Sequence, residues 1–151
     1  MTKRLAAELE GIRVEVPSNI PVMLIREIDD SRRVIPIYIG EAEASSISVA
    51  LSGVVPDRPL THDLMLNTIS EMGGEVVMVV VTDVKEHTYY ANIHIAVEGV
   101  ERVISARPSD AIALAVRAEV PVFVESDLMD KVGKTSVTAD ESDEEEILDD
   151  F

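Results

Sequence analysis

The chain has 151 residues, 46% of them hydrophobic, with no cysteine and with 29 acidic against 13 basic side chains, a formal net charge of -16. That length and apolar content suffice for one domain with a packed core, and the lack of cysteine excludes disulfide staples and thiolate metal sites. Such an acidic balance also argues against a broad basic surface for nucleic acid, because phosphate-backbone affinity comes from Lys and Arg displacing counterions.

The opening "MTKRLAAELEGIRVEV" has no apolar stretch before charge returns at Glu8. No segment approaches the roughly 20 apolar residues of a membrane span, so neither secretion nor insertion is expected. The absence of thiols fits a reducing compartment, and a cytoplasmic protein is the expectation.

From Gly11 to Pro17 the residues Ile12, Val14 and Val16 alternate, and Val22 to Ile28 reads as a second strand, together a hairpin. Asp29-Asp30-Ser31 is turn chemistry, and "RVIPIYI" (Arg33 to Ile39) is a third strand in which Pro36 indicates an edge or a bulge. Glu41 to Gly53 places Ile47, Ala50, Leu51 and Val54 at helical spacing with Ser45, Ser48 and Ser52 opposite. After the loop "VVPDRPL", Thr61 is the expected cap of a second helix carrying Met65, Ile69 and Met72 and stopped by Gly73-Gly74.

"EVVMVVVTD" is apolar on both faces, as a central strand is, and "TYYANIHIAV" alternates. Glu98-Gly99 turns into "VERVISA", and a third helix runs from Pro108 to Ala118, followed by the short strand "VPVFV" and a helical turn through Leu128 and Met129. The order predicts an α+β fold: a single domain with a mixed, mostly antiparallel sheet and three main helices. The third helix is apolar nearly all round, which predicts cover on several sides and suggests a subunit interface, hence a homo-oligomer.

The body is expected to occupy residues 1–134. Residues 135–151 form an acidic tail whose last fourteen positions hold eight acids and no base, a composition that predicts disorder. Solubility is its plain role. Ile147, Leu148 and Phe151 among the acids would also allow docking on a basic partner or competition with nucleic acid.

All three helices open with acids: Glu41 and Glu43, Asp63, and Asp110. A carboxylate in the first turn accepts backbone N–H groups and complements the helix dipole, which would explain each of them. Alternatively, three converging helix starts would pool carboxylates for Mg²⁺ or Mn²⁺ in phosphodiester hydrolysis, with Glu41, Glu43 and Asp63 as the metal candidates. Helical geometry turns Glu43 inward, sets His62 beside Met65, Leu66 and Ile69, and sends Asp63 to the polar side.

His62 is either a hydrogen-bonded core residue or a proton carrier; His94 and His87 are weaker candidates. Arg107 either pairs with Asp110 or another carboxylate, or binds phosphate beside the helix N–H donors. No P-loop, GxGxxG, GxSxG or HExxH is present.

Four segments in order, "RVIPIYIGEAEASSISVAL", "RPLTHDL", "HTYYANIHI" and "SARPSDAIALAVRAEVPVFV", resemble the bifunctional nuclease family over about residues 22–132. The resemblance implies a small, oligomeric α+β domain with DNase and RNase activity. It carries over the motif positions Gly40, Glu41, Glu43, Arg58, His62, Asp63, Arg107, Ser109 and Asp110. Where the family commonly has an Asp-Gly turn, this chain has Lys85-Glu86-His87.

The expected function is metal-assisted hydrolysis of DNA and RNA with little sequence specificity. His62, Arg107 and Asp110 are the expected catalytic residues, with nucleic acid as substrate. The alternative is a non-enzymatic oligomeric binding or regulatory module in which the same residues are structural or hold a small ligand.

Overall fold

A computed structural model describes residues 2–29 and 31–135; positions 136–151, nearly all of the expected tail, lie outside the described residues. Two antiparallel meanders form its sheet. The first comprises β1 (Arg4–Glu15), β2 (Ile20–Glu27) and β3 (Val34–Tyr38); the second comprises β4 (Gly74–Lys85), β5 (Thr88–Val97) and β6 (Val100–Ala106). The four-residue β7 (Val122–Glu125) lies between them, antiparallel to β1 and parallel to β4, giving the order β3-β2-β1-β7-β4-β5-β6. One short apolar segment thus makes a seven-stranded sheet out of two three-stranded ones.

The α+β class and the mostly antiparallel sheet agree with expectation, but the described residues hold four helices rather than three: α1 (Glu41–Ser52), α2 (Thr61–Glu71), α3 (Pro108–Ala118) and α4 (Ser126–Val132). The turn at Leu128 and Met129 is a two-turn helix because both side chains are buried in the core. Pro36 lies in the edge strand β3, opposite Leu24. Glu98 and Gly99 both take positive φ, the two-residue hairpin turn whose twist matches its strands.

β1 starts well before Gly11. Its residues Arg4 to Ala7 have helix-forming composition yet pair with Val122 to Glu125, since an open sheet position outweighs weak local propensity. Thr61 does not cap α2. It is the first helical residue, and Asp63 closes the helix start by accepting the Leu60 N–H at 3.0 Å.

On α1 the covered residues are Ala44 and Ile47, while Leu51 is 50% exposed and Val54 lies beyond the helix end. The face predicted from spacing is therefore only partly covered. α3 is the central helix, with Ala111 to Ala115 buried against β4 and β5 and against α1 and α2. Its apolar circumference is satisfied within the chain, which removes the reason for placing a subunit interface there. Ile112 and Leu114 join Ile47, Val79 and Ile93 in the main core, each such side chain contributing about 1.5–3 kcal/mol by burial.

The fully buried Glu27 at the end of β2 accepts hydrogen bonds from Arg33, 2.7 Å from its Nε, and Arg33 also reaches Asp130 of α4 at 2.8 Å. The Glu27 and Asp130 carboxylates push the Arg33 pKa upward. Among the described residues no helix is long and apolar enough to cross a membrane.

Candidate active site at three helix starts

The N-termini of α1, α2 and α3 meet in a continuous chain of polar contacts. Arg107, immediately before α3, donates from Nε to Asp110 Oδ2 at 2.9 Å and from Nη1 to Glu43 Oε1 at 3.0 Å. Asp110 Oδ1 faces His62 Nε2 at 2.8 Å, and His62 Nδ1 faces Ser46 Oγ at 2.6 Å. A cleft of about 690 Å³ opens on this chain, with Ser46, Leu60, His62, Arg107 and Asp110 among its walls.

Local structure sets each position. Glu43 is the third residue of α1 and folds back toward the helix start, where a Cβ on Gly40 would run into its carboxylate. Its own backbone N–H and then Arg107 hold the Glu43 pKa below the usual range. Burial raises the Asp110 pKa, but hydrogen bonds from Arg107 and His62 outweigh it and the net shift is downward. Asp110 and Glu43 in turn push the Arg107 pKa upward.

A carboxylate only accepts hydrogen bonds, so His62 Nε2 donates to Asp110, and in the tautomer with its proton on Nε2 the ring leaves Nδ1 to accept from the Ser46 hydroxyl. Both ring nitrogens are thereby occupied, and Ser46 and His62 both line the cleft. The His62 side chain is 12% exposed and that of Arg107 is 64% exposed. Arg107 thus presents unused N–H donors to the cleft while two carboxylates fix its plane.

A second arginine, with its side chain buried, braces the group. Arg117 donates to Asp63 Oδ1 at 2.9 Å, to the Ala113 carbonyl at 3.1 Å and to the Ser46 carbonyl at 3.1 Å, tying α3 to both other helices. Burial raises the Asp63 pKa, yet the Leu60 N–H and Arg117 bring it below its usual value. Asp63, expected on the polar side, is thus half-buried and structural in its contacts.

Of the sequence candidates, Glu43, His62, Arg107 and Asp110 come together, with Asp63 beside them through Arg117. Glu41 and Arg58 are exposed, and their side chains make no hydrogen bond or ion pair among the described residues. His87 is exposed in the β4–β5 turn, and His94 is buried on β5 against Glu101. The expected metal set does not assemble: Glu41 faces solvent, Glu43 is bound by Arg107 and Asp63 by Arg117. Among the described residues no three His, Asp or Glu side chains are placed to share a metal ion, so these donors do not fit a carboxylate metal centre.

Ser46 and Arg117 were missed as site residues. Ser46 lies three positions after Glu43, on the same helix face, which is the signal that could have found it. Arg117 carries no local signal for this role, because Asp63 and Ser46 lie on two other helices.

The fold and the cleft together define an α+β domain with an arginine-bearing polar site at converging helix starts. Residues 23–136 match the family model described as the bifunctional nuclease domain, and the chain belongs to that family. An uncharacterized protein of Mycobacterium tuberculosis is 44% identical over 135 residues, 89% of this chain and 79% of its own length. Bifunctional nuclease 2 of Oryza sativa subsp. japonica is 31% identical over 131 residues, 85% of this chain and 40% of its own. Bifunctional nuclease 1 of Arabidopsis thaliana is 30% identical over 107 residues, 69% of this chain and 33% of its own, so this chain spans less than half of either plant protein.

Proposed function

We propose that this chain hydrolyses phosphodiester bonds of DNA and RNA with little sequence specificity, using the cleft at the three helix starts. The observation that carries this is the pairing of an exposed, carboxylate-fixed Arg107 with the Ser46–His62–Asp110 chain in one cleft. Arg107 grips the phosphate and balances the charge that builds on it. His62 takes a proton from the attacking water through the Ser46 hydroxyl, and Asp110 keeps the ring in the tautomer this needs and stabilises it once charged. Dependence of the rate on Mg²⁺ or Mn²⁺ is read in the same assay.

The test is cleavage of end-labelled single-stranded DNA and RNA by highly purified protein, with and without a chelator. Arg107→Ala, His62→Ala and Ser46→Ala each lower the rate by about a hundredfold or more while the circular dichroism spectrum is kept. Equal cleavage by wild type and all three variants would assign the activity to a contaminant. The local balance of two arginines against Glu43, Asp63 and Asp110 favours one other reading, a binding module without turnover; it predicts loss of ligand binding in Arg107→Ala with no cleavage by wild type. For association between copies the proposed surface is the edge strand β6, where Val100, Val103 and Ile104 are exposed. Light scattering of wild type against Val103→Glu tests it, a monomer in both cases removing it.

A further inference from the structure

Arg107 has a second cleft beside it. This one, about 480 Å³, lies between the end of β3, the β4–β5 turn and the start of α3, and Arg107 is the residue the two clefts share. Its volume is in the range of small-molecule sites. Tyr38 and Tyr89 supply aromatic walls, and Gly40 and Ser109 line it as well.

Ser109 is the feature that points to a ligand. It is 5% exposed, it lines this cleft, and its hydroxyl has no hydrogen-bond partner among the described residues. Buried hydroxyls are nearly always paired, since leaving one without a partner costs free energy. The backbone adds donors at the same place: the first intrahelical bond of α3 runs from the Ala111 N–H to the Arg107 carbonyl, so the Ser109 and Asp110 N–H groups precede the helix ladder. A hydroxyl, two amide N–H groups, the positive end of a helix dipole and a guanidinium are the donor set of a phosphate site.

The walls suit a base. Burial and then a hydrogen bond with Glu15 raise the Tyr38 pKa to about 12, and burial raises that of Tyr89, so both rings stay neutral beside an anion. Every nucleobase has a face that stacks on such rings, without sequence preference.

We propose that this second cleft holds one unpaired nucleotide unit, its phosphate on the Ser109 hydroxyl, the α3 N–H groups and Arg107, and its base against Tyr38 and Tyr89. The identity of the polymer rests on the nuclease reading; the nucleotide site itself does not. With the base on one side of Arg107 and the Ser46–His62 pair on the other, the phosphate sits at the boundary of the clefts, and a stacked duplex cannot supply the splayed base. Single strands are therefore the preferred substrate.

Isothermal titration of the full-length protein with adenosine 5′-monophosphate, adenosine and inorganic phosphate tests the proposal. The monophosphate binds about tenfold or more tightly than either fragment, and Ser109→Ala weakens it by about tenfold. Tyr89→Leu abolishes the advantage of the monophosphate over inorganic phosphate; should that variant melt early, Ser109→Ala alone decides. Equal binding of the monophosphate by wild type and Ser109→Ala overturns the proposal, as does a monophosphate held no better than phosphate. Serine-dependent monophosphate binding by a wild type that cleaves nothing leaves the nucleotide site standing and removes the nuclease reading. Cleavage that depends on His62 without monophosphate binding removes the nucleotide site alone.

Discussion

Arg117→Met probes how far the site depends on a buried brace. The side chain is 7% exposed and binds one carboxylate and two carbonyls, on α2, α1 and α3 itself. Methionine keeps most of the aliphatic volume and removes all three bonds. Hydrogen bonds to a charged group contribute about 1.5–3 kcal/mol each, but removing the guanidinium also relieves its own desolvation, so the net loss is roughly 2–4 kcal/mol. Asp63 is not stranded, because it keeps the Leu60 N–H and partial access to water.

In a domain of this size each kcal/mol moves the melting temperature by roughly 3–5 °C, so calorimetry should find a fall of about 10 °C. A buried brace is poorly screened, so the gap to wild type should persist in 1 M salt, where the Debye length is about 3 Å. Cleavage at 25 °C, where the variant is still folded, should drop about tenfold as Ser46 and His62 lose their relative placement. A variant melting within about 2 °C of wild type would refute the assignment of Arg117 as the brace.

Gly40→Ala should leave stability almost unchanged, since Gly40 has ordinary φ and the added methyl meets only the flexible Glu43 carboxylate; displacing that group from Arg107 should slow cleavage several-fold in the nucleic-acid assay. Arg33→Met leaves the fully buried Glu27 only the backbone N–H of residue 33 in place of the guanidinium and should cost about 3–5 kcal/mol, read as a lower urea midpoint, with Glu27→Gln in the same background recovering part of it. Glu43, Asp63 and Asp110 have folded pKa values below their usual 4.5, 3.8 and 3.8, so the stability they contribute is fully present above those values and is lost as pH falls through the lowered folded ones. Urea midpoints should hold level from neutral pH down to about pH 5 and fall below it, and Arg107→Ala should flatten the part due to Glu43 and Asp110.

Local pattern alone settled much of this protein. Strand alternation in Thr88–Val97, the Pro108 start of α3 and the Gly73 stop of α2 are short-range steric facts, and the elements lie where the pattern puts them. The inward turn of Glu43 and His62 was legible too, because a helix fixes the angle between residues a few positions apart. Tertiary structure decided which groups meet. Glu43 and Arg107 are 64 positions apart and His62 and Asp110 are 48 apart, and no periodicity carries information over such separations. It also recruited Arg4–Ala7 into the sheet, left Leu51 in solvent, and covered α3 with its own chain. Each outcome depends on what packs opposite, which sequence spacing does not encode. The same holds for carboxylates that looked like metal ligands: their number was in the sequence, but only packing gave Glu43 and Asp63 arginine partners and left Glu41 in solvent.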